Sequence, residues 1–351
     1  MKQIILVHTI PKLLLLVLTF SFSLAIGSAF AQVSPLAGIA PGTIKNSYID
    51  LGESDSLALS IIRGRVDGPV FTIVAGIHGF EYPPIIAVQR ILKSIDPKEL
   101  KGSLLIIPLA SEASFYQRSV FTHPEDGKNL NRVFPGNGSG TVTEKIAAFI
   151  SQVIIPVTDV FLDIHGGDAS EDLLPFVCFY DRKDASAQVG LARKLASAAD
   201  FEYNVIYPYT LKADQPSEYA FKEAVQQGKT ALSIEAGKLG AADRVAIDRI
   251  ENGILNMLKE MEMIQGSIST HSDQRWLVNP DYIKAPVQGI FYSDIKSGDQ
   301  VSRGQYLGYI TDIFGEKLEE IHSGFDGIVL YKIGTPPVNT GETMFCIGKV
   351  N

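Results

Sequence analysis

Apolar residues follow two periodic patterns that alternate along residues 56–268. Runs rich in apolar and β-branched residues, most of them apolar on both faces, predict strands at residues 56–62, 70–75, 103–109, 159–164, 176–180, 204–207 and 230–234. Helical spacing of apolar residues predicts helices at residues 83–95, 143–153, 186–199, 217–226 and 245–264. Alternating strands and helices form βαβ units, so we predict an α/β fold whose mostly parallel or mixed sheet is flanked by helices.

The hydrophobic pattern changes near residue 270. Short apolar runs then alternate with glycine-marked turns, which predicts a C-terminal all-β domain over residues 275–351, after an α/β domain over residues 47–268. Residues 33–46 are rich in proline, glycine and serine without a period, and they are predicted to be a mobile lead-in. Residues 111–140 also lack a period, and a segment of that length inside a compact domain is typical of a functional or disordered loop.

The N-terminus has the pattern of an export signal. Lys2 and Lys12 bracket a short basic start, residues 13–26 are apolar, and Ala29-Phe-Ala31 matches a small-residue cleavage site. An uncleaved membrane anchor is the alternative, but the apolar stretch is shorter than the ~20 residues that a spanning helix needs. We therefore predict a signal peptide over residues 1–31, cleavage near Ala31, and a secreted or periplasmic protein without a membrane contact after cleavage.

Charge and cysteine content narrow the function classes further. The formal net charge is −8, and no basic patch is evident, which argues against a nucleic-acid partner. The two cysteines, Cys178 and Cys346, lie far apart in the sequence and lack the spacing of metal ligands. They could form a disulfide in an oxidising compartment, but two buried free thiols are the favoured interpretation.

Two histidines and one glutamate follow predicted strands at glycine-marked loops. His78 and Glu81 lie in Gly-Ile-His-Gly-Phe-Glu at 76–81, and His165 ends the run Phe-Leu-Asp-Ile-His at 161–165. Imidazole nitrogens and a carboxylate are ligands that Zn²⁺ accepts, and a catalytic zinc takes three protein ligands and leaves one position open. A His-x-x-Glu segment also occurs by chance, but together the three residues predict a site for one zinc ion per chain.

Further residues suggest a reaction at this metal. Glu235, in Ser-Ile-Glu-Ala-Gly at 233–237, directly follows a strand and is the candidate general base and acid, with capping of the next helix as the alternative. Asn131 and Arg132 lie in the long loop, where the guanidinium could grip a substrate carboxylate or pair with a surface acid. Asp163 is either a partner that orients a ligand imidazole or a structural carboxylate. Roles for Arg118 and His123 stay open.

With these motifs the chain resembles the succinylglutamate desuccinylase/aspartoacylase family, which is related to the zinc carboxypeptidases. The resemblance rests on the segments at 76–81, 126–136, 163–166 and 233–237, in the family's order. It implies zinc on His78, Glu81 and His165, Glu235 as general base and acid, and Asn131 with Arg132 as substrate-binding residues. It also implies a carboxypeptidase-like α/β domain followed by a β domain, and that β domain resembles a lipoyl/biotinyl half barrel.

The sequence departs from the family pattern next to two of these motifs. After Glu81 it has Tyr82-Pro-Pro, where relatives often have Asn-Gly. The family usually has Asp-Leu-Asn-Arg where this chain has Asn129-Leu-Asn-Arg. The leading hypothesis is an exported zinc-dependent amidohydrolase that cleaves a small carboxylate-bearing substrate, such as an N-acyl amino acid, with a zinc-activated water and Glu235. The alternatives are a zinc carboxypeptidase acting on peptides, including cell-wall peptides, and a non-catalytic binding protein that retains the metal.

Overall fold

The computed structural model describes residues 34–52, 56–268 and 273–350. Its strands are β1 Thr43–Asp50, β2 Ser56–Arg63, β3 Val66–Ala75, β4 Lys101–Ile107, β5 Val160–His165, β6 Glu171–Leu173, β7 Phe176–Asp181, β8 Tyr203–Pro208, β9 Thr230–Glu235, β10 Arg275–Lys284, β11 Gly289–Tyr292, β12 Gln300–Val301, β13 Tyr306–Thr311, β14 Lys317–His322, β15 Gly327–Ile333, β16 Pro337–Val338 and β17 Thr343–Val350. Its α-helices are α1 Tyr82–Ser94, α2 Glu112–Gln117, α3 Val142–Phe149, α4 Ser186–Ala198, α5 Ala220–Gln226 and α6 Arg244–Glu260.

One large mixed sheet runs through the chain, in the order β1-β2-β4-β3-β5-β9-β7-β8-β10-β17-β15-β12, with β6 paired to β15. Strands β4, β3, β5 and β9 are parallel neighbours, and β5 is buried along its whole length. Burial on both faces explains their continuous apolar sequences. The α/β fold with a mixed sheet is therefore confirmed.

Helices cover both faces of the parallel strands. On one face, α1, α4 and α6 bury residues such as Ile91, Leu195 and Ile250 against the sheet. On the other face, α3 and α5 bury Ile146 and Ala224 in a second apolar cluster. The central strands thus have no solvent-exposed face, and polar groups of this layer can reach solvent only at the strand ends.

The all-β region continues the large sheet and adds a second one. Strand β10 pairs parallel to β8 and antiparallel to β17, so the large sheet extends into the C-terminal part of the chain. A separate sheet has the order β14-β13-β11-β16, and Phe291, Ile310 and Phe345 belong to the apolar cluster of this region. A C-terminal all-β region is confirmed, whereas the domain limits at residues 268 and 275 and the half-barrel likeness stay predictions.

Two local predictions were wrong, and a third segment contains more regular structure than its sequence pattern indicated. The lead-in predicted for residues 33–46 runs into β1, which pairs antiparallel with β2 from Thr43 opposite Arg63; β1 buries none of its side chains fully, so its sequence has no apolar period. The helix predicted from residue 217 begins at Ala220, because the backbone of Glu218 takes φ of +68° and pairs with Phe134. The segment at 111–140 contains α2 and a 3-10 turn, Leu130–Arg132.

The prediction for the two cysteines was confirmed, whereas the prediction for the N-terminus is not tested by the structure. Cys178 and Cys346 are both buried free thiols, as favoured from the sequence. Residues 1–31, where a signal peptide is predicted, lie outside the described residues, so that prediction stays one. Within the described ranges there is no helix with the length and apolar character needed to cross a membrane.

Asp172 in β6 joins the α/β part of the chain to the all-β region. Its carboxylate accepts hydrogen bonds from Ser297 N at 3.0 Å, Ser297 Oγ at 2.8 Å and Lys238 Nζ at 3.2 Å. The side chain is buried, with 8% of the residue exposed. Although burial acts in the opposite direction, the hydrogen bonds from Ser297 and Lys238 lower the pKa of Asp172.

Asp172→Ala is expected to reduce the free energy of unfolding by about 1–3 kcal/mol, because it leaves partly buried donors on Ser297 without their charged acceptor. Since the folded-state pKa of Asp172 is depressed, its contribution is present above the unfolded pKa of about 4 and is lost as the pH falls through the folded value. Denaturant unfolding at neutral and acidic pH measures this. The matched control is Asp67→Ala, whose side chain is fully exposed; equal midpoints for the two variants would contradict the prediction.

Candidate active site

The three candidate ligands lie where neighbouring parallel strands end. Strand β5 lies between β3 and β9, and all three run in the same direction. The chain leaves β3 through Gly76, whose φ is +66° and where a Cβ would lie 2.6 Å from Leu109 Cδ1. His78 and Glu81 follow in that loop, and α1 begins directly after Glu81. His165 is the last residue of β5, and so the two ligand segments meet at the same sheet edge.

His78, Glu81 and His165 converge on one point. Each offers a ligand atom, and these atoms all lie within 4.8 Å of one another. Nδ1 of His78 lies 2.6 Å from Glu81 Oε1, and Nδ1 of His165 lies 2.9 Å from Glu81 Oε2. The structure thus brings the three predicted ligand residues together, with both imidazoles presenting Nδ1 to the centre.

The opposite nitrogen of each imidazole faces a polar partner. His78 Nε2 lies 3.1 Å from Asn129 Oδ1, which also accepts a hydrogen bond from Asn131 N at 2.8 Å. His165 Nε2 lies 3.1 Å from Asp163 Oδ2. For His78 the partner Asn129 fixes the ring orientation and favours a proton on Nε2, which leaves Nδ1 free as a lone-pair donor. Nε2 of His165 also has the amide nitrogen of Asn131 at 3.0 Å. Asp163 is an ionic neighbour of the His165 ring without a hydrogen bond of good geometry, so both interpretations of this residue stay predictions.

Charge is concentrated at this point. Although burial opposes it, the imidazoles of His78 and His165 lower the pKa of Glu81 to about 2. Burial likewise acts to lower the pKa of His165, but the carboxylates of Asp163 and Glu81 raise it well above its usual value. Glu81 is only 3% exposed. The carboxylate therefore stays ionised in a buried position where it can serve as an anionic ligand.

The residues present fit a zinc ion. Two imidazole nitrogens and one carboxylate are a donor set that catalytic zinc sites use, and Nε2 of His78 has an acceptor partner in Asn129. Asp163 is completely buried, and neither of its carboxylate oxygens has a hydrogen bond of good geometry within the described residues. A divalent cation on the neighbouring imidazole would compensate the negative charges of Asp163 and Glu81.

Glu235 lies beside this constellation. It is the last residue of β9, and its backbone is in register with His165 on β5. Burial raises the pKa of Glu235 to about 8; the charges of Glu81 and Asp163 act in the same direction, and His165 acts against them. Helix α6 begins nine residues later with Asp243 as its cap, which accepts from Ala246 N at 3.0 Å, so the alternative that Glu235 caps this helix was wrong.

Asn131 and Arg132 border the same centre. The side chain of Asn131 is buried, with Nδ2 3.0 Å from His165 Nε2 and Oδ1 accepting from Ala220 N at 3.0 Å. Arg132 is exposed, and its guanidinium lies over the Tyr219 ring at 4.6 Å from the centroid. Within the described residues no acidic side chain forms an ion pair with Arg132. Its guanidinium donates to Asn131 O at 2.6 Å, and no carboxylate of the described residues occupies it.

Arg118 and His123 are placed apart from the ligand contacts described above. Arg118 is exposed at the end of α2, where its φ is +55°. His123 is 3% exposed, and its Nδ1 accepts a hydrogen bond from Glu125 N at 3.4 Å, as expected of a histidine that orders its loop. The contact between Asn129 and His78 was not among the sequence predictions, and its only signal was the departure from the family's aspartate at position 129.

Comparison with known proteins agrees with the geometry. A sequence model of the succinylglutamate desuccinylase/aspartoacylase catalytic domain matches residues 67–261. The N-α-acetyl-L-2,4-diaminobutyric acid deacetylase of Halomonas elongata is 31% identical over 294 residues, which cover 82% of this chain and 84% of that relative. The family model covers all three candidate ligand positions, and both matches support the resemblance found in the motifs.

Solved structures share the fold. The succinylglutamate desuccinylase/aspartoacylase of Rhodobacter sphaeroides has a TM-score of 0.80 at 23% identity and covers 92% of this chain and 100% of its own. The product-bound ectoine utilization protein EutE (DoeB) of Ruegeria pomeroyi has a TM-score of 0.79 at 23% identity, with 89% and 98% covered. The chain therefore belongs to the succinylglutamate desuccinylase/aspartoacylase family, and it is accordingly an enzyme of the deacylase type, which hydrolyses C–N amide bonds.

Proposed function

We propose that this chain is an exported, zinc-dependent deacylase that hydrolyses the amide bond of an N-acyl amino acid. The convergence of His78, Glu81 and His165, with Glu235 at the end of the adjacent strand, carries the proposal. A zinc ion bound by these three residues would supply a Lewis acid that polarises the substrate carbonyl and acidifies water. The proposal that the protein is exported rests on the N-terminal pattern at residues 1–31.

Glu235 is the proposed proton-transfer group. Its carboxylate is buried and has a pKa of about 8, within the range where a group can both take up and return a proton near neutral pH. It would accept a proton from the attacking water and return it to the leaving amine. Because Glu235 and His165 are in register on adjacent strands, their side chains lie on the same face of the sheet, and the proton would be moved beside a metal ligand.

Asn131 and Arg132 are the proposed substrate-binding residues. Arg132 has no acidic partner within the described residues, and a guanidinium can grip a carboxylate with two parallel hydrogen bonds. The side chain of Asn131 accepts a hydrogen bond from Ala220 N and contacts the candidate metal ligand His165. It therefore fixes the loop that carries Arg132 next to that ligand. A carboxylate held by Arg132 would fix the scissile amide in register with Glu235.

The experiment combines metal analysis with a substrate screen on the purified protein. We expect about one zinc per chain and release of free amine from an N-acyl amino acid. Test substrates are N-acetyl-2,4-diaminobutyrate, which the Halomonas elongata relative's name indicates, together with N-acetylaspartate and N-succinylglutamate. Release of C-terminal residues from peptides, without deacylation of any acyl amino acid, would replace the proposal by a carboxypeptidase.

A further inference from the structure

Phe121 is an exposed apolar residue that contacts a candidate metal ligand. The centroid of its ring lies 6.4 Å from that of His78, and the two rings meet edge to face at an angle of 88°. The residue is 43% exposed. One exposed phenylalanine on a protein surface is ordinary, but an open aromatic ring beside a metal ligand offers an apolar wall to a bound substrate. Neither the metal ligation nor the proton transfer proposed above uses this ring.

The backbone next to Phe121 is fixed by hydrogen bonds. The carbonyl oxygen of Thr122 accepts from Ser114 Oγ at 3.2 Å and from Ser119 Oγ. Ser119 N donates to Ser114 O at 2.9 Å. The segment at residues 119–122, Ser-Val-Phe-Thr, also carries no charge. The ring is therefore presented by an ordered, uncharged turn, and an apolar group that binds there has little protein backbone left to order.

The turn is attached to the loop at residues 76–81, which carries two of the candidate ligands. Just before α2, Ser111 N donates to Gly76 O at 2.9 Å. A Cβ on Gly79 would lie 2.2 Å from Phe115 N, so the ligand loop is in direct contact with the backbone of α2. Because the exposed ring follows α2 directly, its position relative to the metal ligands is set by these contacts.

The position of Phe121 matches the acyl side of the proposed substrate. The proposed carboxylate-binding residue, Arg132, follows Asn131, whose Nδ2 lies 3.0 Å from His165 Nε2. Phe121 contacts the other imidazole, that of His78, and the centroids of the two imidazole rings are 5.2 Å apart. In an N-acyl amino acid the carboxylate and the acyl chain lie on opposite sides of the amide bond. With the carboxylate at Arg132 and the carbonyl at the ligands, the acyl chain would extend towards Phe121.

We propose that Phe121 is a specificity-determining residue that forms the wall of a subsite for an apolar acyl chain, so that the preferred substrates are N-acyl amino acids with an acyl group longer than acetyl. An acetyl group ends one carbon beyond the carbonyl, whereas a butanoyl or hexanoyl chain is long enough to cover the ring. The inference rests on the proposed deacylase function and adds the class of acyl group. The proton transfer stays with Glu235.

A series of acyl groups tests the subsite, with N-acetyl, N-butanoyl and N-hexanoyl derivatives of 2,4-diaminobutyrate and of aspartate. Each methylene group that leaves water contributes about fourfold, so kcat/KM of the wild-type protein should be about 5–15-fold higher for butanoyl than for acetyl compounds, and no lower for hexanoyl compounds. Phe121→Ala should bring the ratio of butanoyl to acetyl close to one. Phe121→Leu keeps a smaller apolar side chain and should give an intermediate ratio.

This ratio isolates the apolar contact from damage to the metal site. A variant with less bound zinc loses activity on both compounds equally, so only the contact with the acyl chain changes the ratio. The matched control is Phe314→Ala, in the turn between β13 and β14, because Phe314 is 85% exposed and has no ring contact with a candidate ligand among the described residues. It should keep the wild-type ratio. Equal kcat/KM for acetyl and butanoyl compounds in the wild-type protein, or a ratio that Phe121→Ala leaves unaltered, would overturn the subsite.

A second pair of substrates shows which part of the substrate Phe121 contacts. N-acetylalanine and N-acetylnorvaline share the acyl group and differ by two methylene groups in the amino-acid side chain. Phe121→Ala should leave the ratio of their kcat/KM values unchanged. If the variant alters this ratio and not that of the acyl series, Phe121 borders the amino-acid side chain and the acyl subsite is wrong.

Binding measurements separate this inference from the proposed function. Calorimetric titration of zinc-loaded Glu235→Gln protein with N-acetyl- and N-butanoyl-2,4-diaminobutyrate needs no turnover. We expect tighter binding of the butanoyl compound, and we expect Phe121→Ala to remove the difference. If the wild-type protein hydrolyses no acyl amino acid but this preference is found, the proposed reaction fails and the acyl subsite stands. Equal binding of the two compounds, or binding of neither, counts against the subsite even where hydrolysis confirms the reaction.

Discussion

Glu235→Gln is expected to reduce kcat by about 10²–10⁴-fold while the protein keeps its zinc. Glutamine has the size of glutamate and can stay at the end of β9, but it cannot accept a proton from water or return one to the leaving amine. Glu235 is not one of the three converging ligand residues, so its substitution should leave metal content unchanged. Steady-state kinetics on the best acyl amino acid and metal analysis of the same sample measure the two effects.

The matched control is Glu202→Gln. The side chain of Glu202 is 55% exposed, and it pairs with Arg275 instead of a candidate ligand. It should retain the activity of the wild-type protein. The substitution should not lower the free energy of unfolding, because Glu235 is buried and the neutral amide removes a charge that burial disfavours. Full turnover by Glu235→Gln would remove this residue from the reaction and require another proton acceptor.

His165→Ala is expected to abolish metal binding and activity and to destabilise the fold. The variant loses one of three ligands, so bound zinc should fall from about one per chain to nearly none. It also leaves Asp163 as a completely buried carboxylate whose only close cationic partner among the described residues is His165, at 3.1 Å. Removing one member of a buried charge pair costs about 3–5 kcal/mol, so the midpoint of denaturant unfolding should fall.

Two comparisons separate loss of the ligand from loss of the fold. His322→Ala removes an exposed histidine of β14 and should keep both zinc and stability. Treatment of the wild-type protein with a chelator should remove activity, and added zinc should restore it, because the ligands stay in place. A His165→Ala protein that still binds one zinc per chain with wild-type affinity would contradict the assignment of this residue as a ligand.

Local sequence patterns were sufficient to find the ligands and the parallel strands. His78, Glu81 and His165 each follow an apolar run that had to be a buried strand, and parallel strands place their carboxyl ends at one edge of the sheet. That rule brings together residues separated by 84 positions in the sequence, such as Glu81 and His165. The same burial on both faces makes β3, β5 and β9 recognisable from composition.

Edge strands and polar contacts were not predictable in this way. Strand β1 is exposed along most of its length, so it carries no apolar period, and β6 has only three residues. The partner of His78 is Asn129, which lies 51 positions away and is brought near by the turn at Leu130–Arg132. Such contacts depend on loop geometry, for which one sequence contains no periodic signal.

The amino-acid sequence by itself determined the α/β order of the elements, the all-β character of the C-terminal region and the residues able to bind a metal. Burial imposes a period on strands and helices, and few residue types bind zinc. Only the tertiary structure decided that one sheet continues from β8 through β10 into the C-terminal region, and which nitrogen of each histidine faces Glu81. Those features depend on distances between residues remote in the chain, and such distances are set when the whole chain packs.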